Sequence, residues 1–179
     1  MNDSLRDFLL EARAYGWPEH AGPSTHPAFP GFIETRYSRD AWDYSDLWSG
    51  TTTDLGMQII FHGGAPYWGC TYRGGVIDPA DASGTGVPVD VVFEFLIDAL
   101  RQPSCPTLPV RGPETYRSRS GSLRYSFQPH GRLPSFIAFE RISLGDRLLY
   151  ERILTGGRFG DGQGYGQALG SLLTANGAD

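Results

Sequence analysis

Two stretches carry apolar residues at the 3–4 spacing that builds one helix face: Leu5, Phe8, Leu9 and Ala12, and then Val91, Val92, Phe95, Leu96 and Ala99. Asp3 or Ser4 can cap the first, which runs to about Tyr15 before Gly16 and Pro18 end it; the second spans Asp90 to Gln102 and stops at Pro103. Elsewhere the pattern is that of strands. Residues 32–37, 42–48, 56–61 and 67–72 are rich in β-branched and aromatic side chains and are separated by turn signals such as His62-Gly63-Gly64-Ala65-Pro66. A second β section follows the helix at 115–120, 123–128, 135–142 and 147–154, with turns at Ser120-Gly121 and Leu144-Gly145-Asp146. The pattern predicts an α+β fold: a curved, mainly antiparallel sheet, a meander of about six to eight strands, packed by two main helices.

Two segments break this alternation. Residues 16–31 hold prolines at 18, 23, 27 and 30, plus Gly22 and Gly31, and cannot sustain a helix or an inner strand. The expectation is a long loop, of the kind that covers sites as a lid. Residues 156–166 are glycine-rich and read as a connector to a short apolar helix over 167–173.

Composition narrows the reading further. A chain of 179 residues with 40% hydrophobic and 13% aromatic content fits a single domain over 1–179. The longest apolar runs, such as Phe8-Leu9-Leu10 and Val91-Val92-Phe93, fall far short of a membrane span. The early residues carry Asp3, Asp7 and Glu11 where a secretory leader needs a basic start, so the expected location is the cytoplasm. Two cysteines, Cys70 and Cys105, exclude a disulfide framework and read as reduced thiols. The net charge of −5 speaks against nucleic acid as a partner, although residues 101–179 hold ten arginines against six acids. All fifteen basic residues are arginine, which points first to a GC-rich bacterial genome and second to forked, anion-pairing side chains.

Most chemical motifs fail on inspection. The glycines of 156–166 lack the dinucleotide spacing and the lysine of a phosphate loop. His20, His26, His62 and His130 have no metal-ligand spacing, so no metal and no cofactor is implied. The strand Trp42-Asp43-Tyr44-Ser45-Asp46-Leu47-Trp48 is more informative, since alternation sets Asp46 on one face among Trp42, Tyr44 and Trp48. A carboxylic acid desolvated in this way has a raised pKa and serves as a general acid or base. Glu140 shares a face with Phe136, Ala138 and Ile142 and needs a partner there. Asp46 and Glu140 are therefore the expected acid/base pair. Tyr44, Trp48, Trp68 and Tyr72 would line the pocket, and Arg117 and Arg119 would meet a carboxylate or phosphate of the ligand.

The order of motifs resembles a bacterial domain family of unknown function, found alone or behind helix-turn-helix segments. The matching pieces are Phe8-Leu9-Leu10-Glu11-Ala12, Tyr44-Ser45-Asp46-Leu47-Trp48-Ser49-Gly50, Gly56-Met57-Gln58-Ile59-Ile60 and Pro66-Tyr67-Trp68-Gly69-Cys70-Thr71-Tyr72-Arg73-Gly74. Phe136-Ile137-Ala138-Phe139-Glu140-Arg141-Ile142 and Gly156-Gly157 complete the series, which covers roughly residues 5–158. Ala138 stands where the resemblance leads one to expect glycine, and residues 16–31 and the tail after Arg158 look like additions. The resemblance implies a curved α+β sheet domain and no particular reaction.

Three expectations follow. The first is a domain that binds a small apolar or aromatic molecule in an aromatic pocket, with cofactor-independent acid/base chemistry by Asp46 in bacterial secondary metabolism. The second is a regulatory or protein-interaction module without its own catalysis. The third is a homodimer that uses these aromatics in core and interface.

Overall fold

The computed structural model describes residues 3–16, 24–77 and 86–160. Helix α1 (Asp3–Gly16) precedes strands β1 (Ser24–Thr25), β2 (Ile33–Arg39), β3 (Trp42–Gly50), β4 (Thr53–His62) and β5 (Ala65–Val76). Helix α2 (Val89–Leu100) leads through the 101–114 loop to β6 (Thr115–Arg117), β7 (Leu123–Arg132), β8 (Ser135–Leu144) and β9 (Arg147–Arg158). The last strand returns to pair with β5, so two meanders join into one nine-stranded antiparallel sheet of order β1-β2-β3-β4-β5-β9-β8-β7-β6. The α+β class is as the periodicity indicates, with more strands than the six to eight expected.

The extra strand lies inside the proline-rich stretch. Ser24 and Thr25 pair with Glu34 and Ile33 at the sheet edge, a place proline-flanked backbone tolerates because only one side is bonded. Residues 17–23, part of the 16–31 loop expected to act as a lid, lie outside the described residues. Gly156 and Gly157 are not connector: they are paired on both sides within β9, to Cys70 and Gly69 and to Phe136 and Ser135. The helix expected over 167–173 also lies outside the described residues.

Local chemistry explains the hairpins. His62 and Ala65 close the β4–β5 turn around Gly63 and Gly64, both at positive φ (58° and 79°), where a two-residue turn matches strand twist only in the left-handed region. Conversely, Arg119 falls in a turn, because β6 stops at Arg117 and Gly121 donates back to the Ser118 carbonyl (2.8 Å). The strand expected over 115–120 is therefore halved.

Both helices cover the same face of the sheet. Phe8 of α1 stacks on Trp42 and meets Tyr37 (ring centroids 5.6 Å in each case). Phe95 of α2 stacks on Tyr116, and Phe93 meets the Tyr150 ring edge-on. Tyr44, Ile60, Trp68, Tyr125, Ile142 and Leu154 are buried between these layers. The opposite face stays open, with Leu55, Met57, Ile137 and Ile153 exposed. No helix among the described residues is long and apolar enough to cross a membrane.

Candidate functional site

The covered face carries charge as well as rings. Register aligns Asp46 of β3 with Gln58 of β4, and Gln58 with Cys70 of β5, so all three point to the helix side. Tyr72, two residues beyond Cys70, lies opposite Gly56 and crosses β4 above it: a Cβ built on Gly56 would stand 2.3 Å from the Tyr72 Cζ and hydroxyl. The missing side chain thus makes room for a phenol that donates to Asp46 Oδ1 at 2.8 Å. The other oxygen, Oδ2, is held loosely, accepting from Gln58 Nε2 at 3.3 Å and from the Tyr44 hydroxyl at 3.4 Å.

Burial raises the Asp46 pKa; the hydrogen bonds from Tyr72 and Gln58 and the charges of Arg111 and Arg152 offset only part of the rise. Tyr44 and Tyr72 are likewise pushed up by burial and by the neighbouring Asp46 charge, so both stay protonated donors. Gln58 Oε1 is buried and has no hydrogen-bond partner. Gly56→Ala is expected to push the Tyr72 ring off Asp46 and to destabilise the fold by about 1–3 kcal/mol through overpacking. Urea unfolding measures the cost, and loss of the Tyr72 hydroxyl proton signal in NMR measures the uncoupling.

Glu140 occupies the far half of the same face and is fully buried. Arg111 grips it with both ends of its fork, Nε to Oε1 and Nη2 to Oε2 at 2.9 Å each. The hydroxyls of Tyr125 and Tyr150 donate to the same two oxygens at 2.9 and 3.2 Å. Burial pushes the Glu140 pKa up, but Arg111, Arg152 and the hydrogen bonds outweigh it, and the carboxyl sits below the ordinary range. Arg111 is set in turn by Arg13 of α1, which donates to the Pro109 and Arg111 carbonyls (2.8 and 3.0 Å). Burial and the Arg111 charge bring the Arg13 pKa down to about 10.

Arg152 of β9 joins the two halves. Its guanidinium bonds both oxygens of Asp54 (2.7 and 2.5 Å) and lies over the rings of Tyr72 and Tyr150, 5.0 and 5.7 Å from their centroids. A continuous polar path therefore runs Asp46, Tyr72, Arg152, Tyr150, Glu140, Arg111 beneath the helices.

The expected site residues divide accordingly. Asp46, Tyr44 and Tyr72 are in contact, and Trp48 is partly buried two residues along the same face of β3. Glu140 shares the face and the network but not the contact, because β4, β5 and β9 separate its strand from that of Asp46. Trp68 is entirely buried, stacked on Phe136, and donates its indole N–H to the Leu133 carbonyl (2.8 Å). Arg117 and Arg119 are exposed on the edge strand and the following turn, away from both carboxylates. β6 is the outermost strand, and Arg117 pairs there with Arg124.

Reasoning from sequence missed Gln58, Arg13, Arg111, Arg152, Tyr125 and Tyr150. Arg152 was findable, since alternation sets it between Tyr150 and Leu154 on an apolar face, the same anomaly that marked Glu140. Arg111 sits in a loop with no periodicity to betray it.

Cys70 and Cys105 are both buried and unbridged. Burial and the Asp46 charge push the Cys70 thiol up to about 12, away from the nucleophilic range. The native protein should show no reaction with a disulfide reagent at pH 8, and two thiols after guanidinium unfolding. Among the described residues no group of three or more His, Cys, Asp or Glu is placed to hold a metal ion.

Fold and site together define an α+β domain whose single antiparallel sheet carries a buried carboxylate and tyrosine network under two helices. The chain belongs to the family described as Domain of unknown function (DUF5680), which matches residues 46–159. That span opens on Asp46 and takes in Tyr72, Arg111, Glu140 and Arg152. No curated protein and no solved structure matches the chain.

Proposed function

We propose that this domain binds a small, largely apolar or aromatic molecule beside Asp46 and transfers a proton to or from it without a cofactor, as a cytoplasmic enzyme of bacterial secondary metabolism. The observation that carries the reading is the uneven use of the Asp46 oxygens. Oδ1 is committed to Tyr72, while Oδ2 has only two long contacts and keeps lone-pair capacity for a substrate proton. A carboxyl with a raised pKa exchanges protons near neutrality more readily than an ordinary one. Tyr44, Tyr72 and Gln58 hold it in one orientation, and Trp48 offers an aromatic wall. Glu140 has the opposite chemistry, ionised and saturated by four donors, and serves to hold the sheet and Arg111 in place.

The test is a thermal-shift screen of small aromatic and apolar metabolites, with hits followed by the Trp48 indole N–H resonance. Hits that move that resonance in the wild type and lose their shift in Tyr72→Phe support the reading. A screen whose hits leave Trp48 unmoved contradicts it.

A second reading, a regulatory module that assembles with another copy of itself, draws on the open face, where Leu55, Met57 and Ile153 stand exposed around one shallow groove. A sedimenting dimer that Leu55→Asp converts to monomer would favour it.

A further inference from the structure

A concave site lies away from Asp46, where the first turn of α1, the 104–109 loop, the β7–β8 turn and the end of β9 meet. It is a notch of about 480 Å³ lined by Leu5, Arg6, Pro106, Thr107, Arg132, Leu133, Pro134 and Arg158. Three of these side chains are guanidinium groups and none is acidic, in a chain whose net charge is −5. Arg6 spends one nitrogen on the Pro106 carbonyl (2.7 Å), which orients the rest of its fork, and Arg158 lies over the Tyr67 ring, 4.9 Å from its centroid.

The walls are fixed by buried chemistry. The Trp68 indole holds the Leu133 carbonyl, and the Arg158 backbone N–H holds that of Pro134 (3.0 Å), so the β7–β8 turn is tied to β5 and β9. Arg13 fixes the 104–111 loop through the Ser104 hydroxyl and the Pro109 and Arg111 carbonyls. Neither Trp68 nor Arg13 lines the notch, yet each gives it a rigid edge. A preformed concavity whose lining combines forked cations with Leu5, Leu133, Pro106 and Pro134 matches one ligand chemistry: an oxyanion attached to an apolar body.

We infer that this notch is an anion-binding site for a small organic carboxylate or phosphate, bidentate to Arg6 and Arg132 with its apolar part against Leu5 and Leu133. The inference is independent of the chemistry at Asp46. Arg6 and Arg132, like charges lining one rigid-walled notch, are what the site offers an oxyanion.

Isothermal titration at low salt with phenyl phosphate, phenylacetate and benzyl alcohol tests it. One or both oxyanions should bind one to one, weaken as sodium chloride is raised, and outcompete the neutral alcohol, which should not bind. The tighter of the two identifies the headgroup. Arg132→Gln, at the exposed end of β7, should weaken binding about tenfold, the worth of one charge-assisted hydrogen bond, and Arg6→Gln likewise. Asp46→Asn should leave it unchanged, which separates this site from the one proposed above. Failure of both oxyanions to bind, or equal affinity in the folded Arg6→Gln/Arg132→Gln double variant, would overturn the inference.

Discussion

Arg111→Met is expected to cost about 3–5 kcal/mol of folding stability, the penalty for stranding a buried charge. Glu140 is fully enclosed, and after the change only the Tyr125 and Tyr150 hydroxyls and the more distant Arg152 would answer its charge. For a chain of this size the loss corresponds to roughly 10 °C in Tm. The pair should also shape acid unfolding. Because the folded pKa of Glu140 lies below its unfolded value, its contribution is present above the unfolded carboxylate pKa and is lost as pH falls through the folded one. Urea titrations between pH 7 and pH 3 should therefore show wild-type stability falling toward acid, with a shallower fall in Glu140→Gln. A cost under 1 kcal/mol for Arg111→Met would show that the carboxylate is not sealed as described.

Asp46→Asn should separate folding from function. With a ligand in hand from the screen, turnover should drop by about 10²–10⁴, the usual contribution of a positioned acid or base. Stability should move the other way. The folded pKa of Asp46 is raised, so its stabilising balance is complete below the unfolded pKa and is lost as pH rises through the folded value. At pH 7 to 8 the asparagine, whose carbonyl can still accept from Tyr72, should be as stable as the native protein or more so. A variant that is both inactive and markedly unstable at pH 8 would recast Asp46 as a structural residue.

These two acids also mark how far the sequence could be read. Both were visible as polar breaks in an apolar alternation, since period-2 patterning assigns a face without knowledge of the partner strand. Their partners were not. Arg111 lies in a loop, and Tyr72 reaches Asp46 only because register places it beside Gly56, a coincidence of two strands that neither segment announces alone. The helices were legible to within about two residues because Gly16 and Pro103 punctuate them. Strand ends were not, and Gly156 and Gly157 misled most: composition said connector, while tertiary pairing on both sides holds them extended. Arg117 and Arg119 shared a face on paper, and an early turn placed them at the sheet edge instead.

Asp46 is a desolvated carboxyl with a raised pKa, distinct from the saturated, ionised Glu140. Carbon-detected NMR titration of the side-chain carboxyls measures it directly. Asp46 should titrate above the ordinary aspartate range and Glu140 below the ordinary glutamate range. An Asp46 resonance that titrates with the exposed aspartates, or below them, would remove Asp46 as the proposed proton donor or acceptor.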